Sequence, residues 1–298
     1  MKATSEMLII RVQDGREEEM LDQVASETAF TLLVNYQVLV SLLCSPVELD
    51  CMAIGFLLSE GLLHTREELL AVAVDEDAAT VRVTLAALPA EWESLFHRKT
   101  ITSGCGQGVT FSQSANLRQL PRRQAPLLLS SEGIKSLLQK FRHSSDLYVQ
   151  TGGVHSAALT DGREILLFAE DIGRHNAVDK LIGKAFLAGM AMDDKILLSS
   201  GRISGEIMTK VVRNRIPVLV SRTAPTCMSI TTAADHGVTL IGFARGGRMN
   251  LYTHPGNIRI MADGPLAAGE QCGPPPQEEE EARQLPPVPA GVAPEAFL

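Results

Sequence analysis

The spacing of hydrophobic and polar positions changes repeatedly along the chain. AFTLLVNYQVLVSLL (29–43) reads as two β-runs about a turn at Asn35. SPVELDCMAIGFLLSEGLL (45–63) then predicts a helix, with Ser45 as N-cap, Pro46 in the first turn, Glu48 completing a capping box and Gly61 at the far end. Cys44 and Cys51 lie within or beside mostly apolar stretches and read as packing residues. AVAVDEDAATVRVTL (71–85) alternates on both sides of an acidic turn, as a hairpin with one solvated face does. After the polar connection RQLPRRQAP, the run SSEGIKSLLQKFRHS (130–144) has helical spacing. VHSAALTDGREILLFAED (154–171) reads as a hairpin turning at Asp161-Gly162.

From there the pattern alternates regularly: helix around NAVDKLIGKAFLAG, strand KILLSS, helix around EIMTKVVRNR, strand IPVLVS, helix around CMSITTAADHG, strand VTLIGFAR. Strands alternating with helices of this length predict a parallel or mixed sheet covered by helices. The expected organisation is a smaller N-terminal α+β part over 1–125, ending in a cysteine loop, an α/β core over 126–261, and a tail over 262–298. That tail is rich in proline and charge and poor in core formers, and is expected to be disordered.

Composition bounds the function. With 45% hydrophobic and 21% charged residues in 298, the chain is of an ordinary globular kind. The N-terminal apolar patch in MKATSEMLIIRVQDG is too short for a signal-peptide core, and no run approaches the ~18–20 apolar residues of a spanning helix. The expected location is the cytoplasm, without a membrane. Five scattered cysteines, with no C-x-x-C among them, give neither a disulfide framework nor a zinc signature. Of the net charge of −8, the tail from residue 262 carries −6, leaving −2 on the rest. That balance argues against nucleic acid as a partner but leaves room for a local basic pocket.

Five polar or glycine-rich segments interrupt the regular elements: TSGCGQG (102–108), TGGVH (151–155), EDIGRHN (170–176), SSGRISGE (199–206) and FARGGR (243–248). The last three each follow a strand-like run, where an α/β sheet places ligands. Glycines on both sides of Cys105 strip bulk from around its sulfur and admit a large or reactive partner. A lone cysteine acts as a nucleophile only if its thiol is readily ionised, and His155, Arg174, His175 and Arg202 are the candidate supporting residues. In FARGGR, Gly246 and Gly247 let backbone N–H groups converge on an anion, and Arg245 and Arg248 can fork onto phosphate oxygens. The segment is neither a Walker A loop nor a G-x-G-x-x-G fingerprint. The H-x-E and P-C-x-x-C of zinc deaminases are absent, as is a G-x-S-x-G elbow.

Taken in order, NYQVLVSLLCSPVELDCMAIGFLLSEGLL, TSGCGQG, GGVHSAAL, EDIGRHNAVDKLIG, SSGRIS, IPVLVSRTAPT and GFARGGRMNLYTHPGNI resemble the formate dehydrogenase accessory sulfurtransferase family (FdhD/NarQ), over roughly residues 25–260. The resemblance implies a protein that receives sulfur from a cysteine desulfurase as a cysteine persulfide. It would pass that sulfur to the molybdenum bis(molybdopterin guanine dinucleotide) cofactor, bound as a substrate, for use by formate dehydrogenase. The persulfide cysteine falls on Cys105, and the cofactor-binding segment on Phe243, Ala244, Arg245, Gly246, Gly247 and Arg248. The implied fold is a cytidine-deaminase-like core without zinc or any other permanent metal, usually as a homodimer. Many relatives have a second cysteine three residues after the first, where this chain has Gly108, so no resolving thiol is at hand there. The alternative is a non-catalytic chaperone that binds the cofactor and docks on apo-formate dehydrogenase, with Cys105 incidental.

Overall fold

A computed structural model describes residues 2–88, 92, 100–101, 109–110, 117, 127–245 and 248–261. The regular alternation of its second half becomes one six-stranded mixed sheet. The hairpin β10 (His155–Thr160) and β11 (Ile165–Asp171) turns at Asp161, whose Oδ1 accepts from the backbone N–H groups of Arg163 and Glu164 at 2.8 and 2.9 Å. β12 (Ile196–Ser199), β13 (Val218–Ser221) and β14 (Thr239–Arg245) run parallel to one another, and β15 (Arg248–Leu251) returns antiparallel. The order across the sheet is β11-β10-β12-β13-β14-β15. Because β10 is antiparallel to both β11 and β12, the carboxyl ends of β11, β12, β13 and β14 share one edge.

The period of two in these strands divides the core. Leu197, Leu219 and Leu240 face one way, onto helices α4 (Arg174–Leu187), α5 (Gly205–Arg213) and α6 (Cys227–His236). Ile196, Leu198, Val218, Val220 and Ile241 face the other way, onto α2 (Ser131–His143), which is followed by the short α3 (Asp146–Thr151). Each such side chain, fully buried, contributes about 1.5–3 kcal/mol of transfer free energy. At the second face Phe141 of α2 meets Phe168 of β11 edge-on, with ring centroids 6.0 Å apart.

The N-terminal part supplies a four-stranded sheet from β3 (Thr28–Val34), β4 (Gln37–Cys44), β5 (Leu69–Asp75) and β6 (Thr80–Leu85), ordered β4-β3-β6-β5. The β3–β4 turn places Asn35 and Tyr36 at φ 46° and 68°, the left-handed pair of a tight hairpin. Helix α1 (Leu49–Glu60) is sandwiched between this sheet and α4, and its residues Met52–Glu60 are all buried, so it shows no amphipathic stripe. Where α1 crosses α4 the contact is backbone on backbone, at Gly55 and Gly183.

One local expectation changes. Helix α1 begins at Leu49, behind a left-handed Glu48 (φ 56°), and not at Ser45. The Ser45 hydroxyl is engaged elsewhere, accepting from the N–H of Ile172 at 3.1 Å, while its own N–H donates to Asp171 at 3.0 Å. Glu48 forms no capping box and instead pairs with Lys184 of α4. The C-terminal end follows the sequence: Gly61 takes φ 72° and donates to the carbonyl of Leu58. The N-terminal residues, in turn, form a two-stranded ribbon, β1 (Thr4–Gln13) and β2 (Arg16–Ala25), turning at Asp14-Gly15. Leu8, Ile10, Val12 and Leu21 share one face of the ribbon and are all at least 60% exposed, so this face alternates in sequence without being buried.

Short pairings complete the element list: β7 (Thr100–Ile101) with β8 (Val109–Thr110), and β9 (Leu127–Ser130) parallel to β16 (Ile258–Met261). The segment 102–108 with Cys105, residues Gly246 and Gly247, and the tail 262–298 lie outside the described residues. No helix among the described residues is long and apolar enough to cross a membrane.

Candidate functional site

The loops leaving the shared carboxyl edge are laced together. Ser221 Oγ donates to the carbonyl of Gly201 at 2.8 Å, and the N–H of Ile203 to the carbonyl of Ala224 at 3.1 Å. The N–H of Phe243 reaches the carbonyl of Thr223 at 3.0 Å, and the N–H of Ser156 reaches Ser200 Oγ at 2.8 Å. The start of β10, SSGRISGE, SRTAPT and the end of β14 thus act as one bonded rim. Helices α4, α5 and α6 all start from this rim, at N-caps Gly173, Ser204 and Thr226, so three positive dipole ends face it.

Each strand whose carboxyl end lies on this edge is followed by or ends on an arginine: Arg174 after β11, Arg202 after β12, Arg222 after β13 and Arg245 at the end of β14. Arg174 lies across Gly201, where a Cβ would come within 2.7 Å of its own Cβ. His175 Nε2 sits 3.0 Å from Glu206 Oε2 and 3.3 Å from Ser204 Oγ, and His155 Nδ1 sits 3.4 Å from Ser200 Oγ. The predicted supporting residues His155, Arg174, His175 and Arg202 therefore come together, with Ser200, Ser204 and Glu206 as partners.

Burial lowers the pKa of His155, and the neighbouring charges of Arg174 and His175 lower it further; Arg202 adds to this and Asp171 opposes it. The field of this cluster favours an anion over a proton. An unfolded His155 takes its proton near pH 6.5 and the folded one resists it, so its contribution to stability is complete above about pH 6.5 and is lost as pH falls toward the lowered folded value. His155→Gln is expected to flatten the fall in urea midpoint between about pH 7 and pH 5; an unchanged slope would show that His155 is not its source.

The second group of predicted residues lies at the far end of the rim. Phe243 takes φ 51°, a strained value for a bulky side chain, at a bulge where β14 carries one residue more than β15 between Gly242 and Arg245. The bulge re-aims the strand end, so that Ala244 is buried while Arg245 stands exposed opposite Arg248. Both arginines line a groove of about 230 Å³ whose other wall is α2.

Cys44 and Cys51 do not join the site. Burial pushes both thiols up to about 12, with Asp171 adding to it for Cys44 and Asp50 for Cys51, so both stay protonated packing residues. Among the described residues, no group of three His, Cys, Asp or Glu side chains is arranged to hold a metal ion. Sequence reasoning missed Arg222, Glu206 and the α2 wall. Arg222 carried a usable signal, since it follows its strand as Arg202 and Arg245 follow theirs.

EDIGRHNAVDKLIG divides between the rim and the interior. Arg174 and His175 face the edge, whereas Asp171 and Lys180 form a fully buried ion pair at 2.7 Å. Asp179 is held by Lys210 at 2.7 Å and by the hydroxyl of Ser59 at 2.6 Å. The string is thus a structural signature as much as a functional one.

Comparison with known proteins identifies the family. The FdhD/NarQ family model matches residues 25–259. The sulfur carrier protein FdhD of Wolinella succinogenes is 42% identical over 262 residues, spanning 86% of this chain and 90% of that one. Its counterpart in Bacillus subtilis is 34% identical over 258 residues, 87% of this chain and 98% of the other. A crystal structure from Desulfotalea psychrophila, described as a candidate formate dehydrogenase accessory protein, superposes with a TM-score of 0.70 at 28% identity, covering 87% of this chain and all of that one. With a family match across most of its length and a basic rim on a mixed α/β sheet, this chain belongs to the FdhD/NarQ family.

Proposed function

We propose that this protein is a sulfur carrier that takes sulfur from a cysteine desulfurase onto Cys105 and delivers it to the molybdenum bis(molybdopterin guanine dinucleotide) cofactor destined for formate dehydrogenase. The observation that carries the reading is the rim itself, where Arg174, Arg202, Arg222 and Arg245 follow or end strands that share one sheet edge and three helices begin, with the Arg245–Arg248 groove at its far end. Relatives named sulfur carrier protein FdhD support it. The reading also takes the core as cytidine-deaminase-like, and the protein as a cytoplasmic homodimer without a permanent metal.

In the loading step the Cys105 thiolate attacks the terminal sulfur of the donor's persulfide. A new S–S bond forms on Cys105, the donor S–S bond breaks, and the donor cysteine leaves as a thiolate. The persulfide anion is a soft ligand suited to a molybdenum centre. The rim's contribution is positioning: the phosphates rest on Arg245 and Arg248, and the anionic sulfur is received in the field of His155, Arg174, His175 and Arg202.

Incubated with a cysteine desulfurase and cysteine, the protein is expected to gain one sulfur atom by intact-mass analysis, and Cys105→Ala to gain none. Cys105→Ala is also expected to leave formate dehydrogenase inactive in a reconstituted system. Full activation by the mutant would replace this reading with that of a cofactor-binding chaperone.

A further inference from the structure

The β1–β2 ribbon is a sheet of its own, and among the described residues neither of its strands pairs with any other. Its β2 strand packs against α3, which leaves β1 as the free edge. Residues 4–24 precede the stretch that the family model matches, so the family's motifs give this arm no task. A lone two-stranded ribbon is marginal in water, and a row of exposed apolar side chains on one marks a surface made for contact.

The two faces of the ribbon differ in chemistry. Successive residues alternate between them, and the register Glu6↔Gln23, Leu8↔Leu21, Ile10↔Glu19 and Val12↔Glu17 fixes which side chains stand together. The outward face holds Leu8, Ile10, Val12 and Leu21, all largely exposed, with Glu6, Glu17 and Glu19 beside them and no Lys, Arg or His. Gln23 Nε2 donates to Glu6 Oε1 at 3.1 Å, a neutral contact that leaves the carboxylate charged. The other face balances itself, with Arg11 and Arg16 against Glu18 and Asp22, and Arg11 directly opposite Glu18. There Ile9 and Met20, also opposed, are half-buried. The more covered face is therefore neutral, while the outward one sets three carboxylates along an apolar row.

That charge pattern selects the occupant. A second copy laid face to face would bring three carboxylates from each chain together with no base between them. An anionic lipid surface would repel the same groups. A protein surface with an apolar ridge and Lys or Arg along one flank complements both features. Strands of ten residues make the face roughly 33 Å long, and a helix of about 20 residues spans about 30 Å.

We propose that the outward face of the β1–β2 ribbon is the docking surface for an amphipathic helix of a partner protein. The helix lays its apolar stripe, at i, i+3, i+4 and i+7, on Leu8, Ile10, Val12 and Leu21. Its Lys/Arg flank lies over Glu17 and Glu19 on β2. The interface uses neither Cys105 nor the Arg245–Arg248 groove, so it stands whether or not the chain carries sulfur.

The test uses the full chain and two labelled helical peptides of about 20 residues with the same leucine stripe, one flanked by Lys and Arg and the other by Glu. Binding is read by fluorescence anisotropy at about 0.15 M salt. The wild type is expected to bind the basic peptide and not the acidic one. Glu17→Lys/Glu19→Lys is expected to weaken the basic peptide about tenfold and to gain the acidic one. A ribbon that merely came apart could not create that new affinity. Leu8→Ser/Ile10→Ser is expected to weaken the basic peptide about 100-fold. Glu18→Lys, on the other face, is expected to bind within about twofold of wild type. All the substituted residues are exposed, so thermal scans of the variants are expected to match the wild type. A wild type that binds neither peptide or both equally overturns the proposal, as does an unchanged preference in Glu17→Lys/Glu19→Lys. A dimer in sedimentation velocity that Leu8→Ser/Ile10→Ser dissolves, or binding to phosphatidylglycerol vesicles that it abolishes, also overturns it by giving the face to another occupant.

Discussion

Gly55→Ala and Gly183→Ala are each expected to cost on the order of 4–5 kcal/mol, the range in which a point substitution threatens the fold of a domain stable by about 5–15 kcal/mol. The reason is geometric. A Cβ on Gly55 would sit 1.7 Å from the carbonyl oxygen of Asp179, and one on Gly183 would sit 1.9 Å from that of Cys51. Both obstacles are backbone, so no rotamer change relieves them, and α1 must move off α4. Neither helix is free to move, because α1 is buried on every side between the four-stranded sheet and α4. Gly256 is the control, since a Cβ there meets nothing within 4 Å. Urea unfolding of Gly256→Ala is expected within about 0.5 kcal/mol of wild type. Equal midpoints for Gly55→Ala and Gly256→Ala would mean that the helices do not touch as described.

The alternating second half was readable because each of its elements carries its own period. KILLSS, IPVLVS and VTLIGFAR are short apolar runs between helical stretches, and a sheet covered on both faces needs strands of that kind. The start of α1 was misread because Ser45 satisfies the local capping pattern, yet two long-range bonds to the β11–α4 turn claim its N–H and its hydroxyl. A capping rule sees only neighbours in sequence, and the competing partners, Asp171 and Ile172, belong to a distant part of the chain. The N-terminal ribbon had a local cue in Asp14-Gly15, while the alternation of Leu8, Ile10 and Val12 belongs to a face that is not buried. At the site, the arginines that follow strands were legible as rim residues, while the α2 wall of the groove was not. Lys135, Gln139 and Arg142 look like any solvated helix face until the hairpin is seen across the groove. The most distinctive string of the sequence, EDIGRHNAVDKLIG, misleads in the other direction. Asp171, Asp179, Lys180 and Gly183 build the junction of α4 with α1, and only Arg174 and His175 turn to the rim.

That junction yields the other large effect, at Lys180. Its ammonium is fully buried, pairs with Asp171 at 2.7 Å and donates to the carbonyl of Ser45 at 3.1 Å. Lys180→Met fills similar volume but strands the Asp171 carboxylate in the interior, and is expected to cost about 3–5 kcal/mol. The exposed pair Lys140–Glu164 has nearly the same separation, 2.9 Å, but Lys140→Ala is expected to cost no more than about 1 kcal/mol because water already screens it. The double variant Asp171→Asn/Lys180→Met separates charge from hydrogen bonding. Its side-chain amide at position 171 keeps one acceptor oxygen for the N–H of Gly173 and the amide of Asn176, both 2.9 Å from the Asp171 carboxylate in the wild type. The N–H of Ser45, which the second carboxylate oxygen accepts at 3.0 Å, loses its partner. One orphaned buried donor costs about 1–3 kcal/mol, so the double variant is expected to be more stable than Lys180→Met alone. A double variant less stable than Lys180→Met would show that the buried carboxylate does not depend on its lysine. Because Asp171 also fixes the turn that presents Arg174 and His175, the same variants tie the stability of the junction to the geometry of the rim.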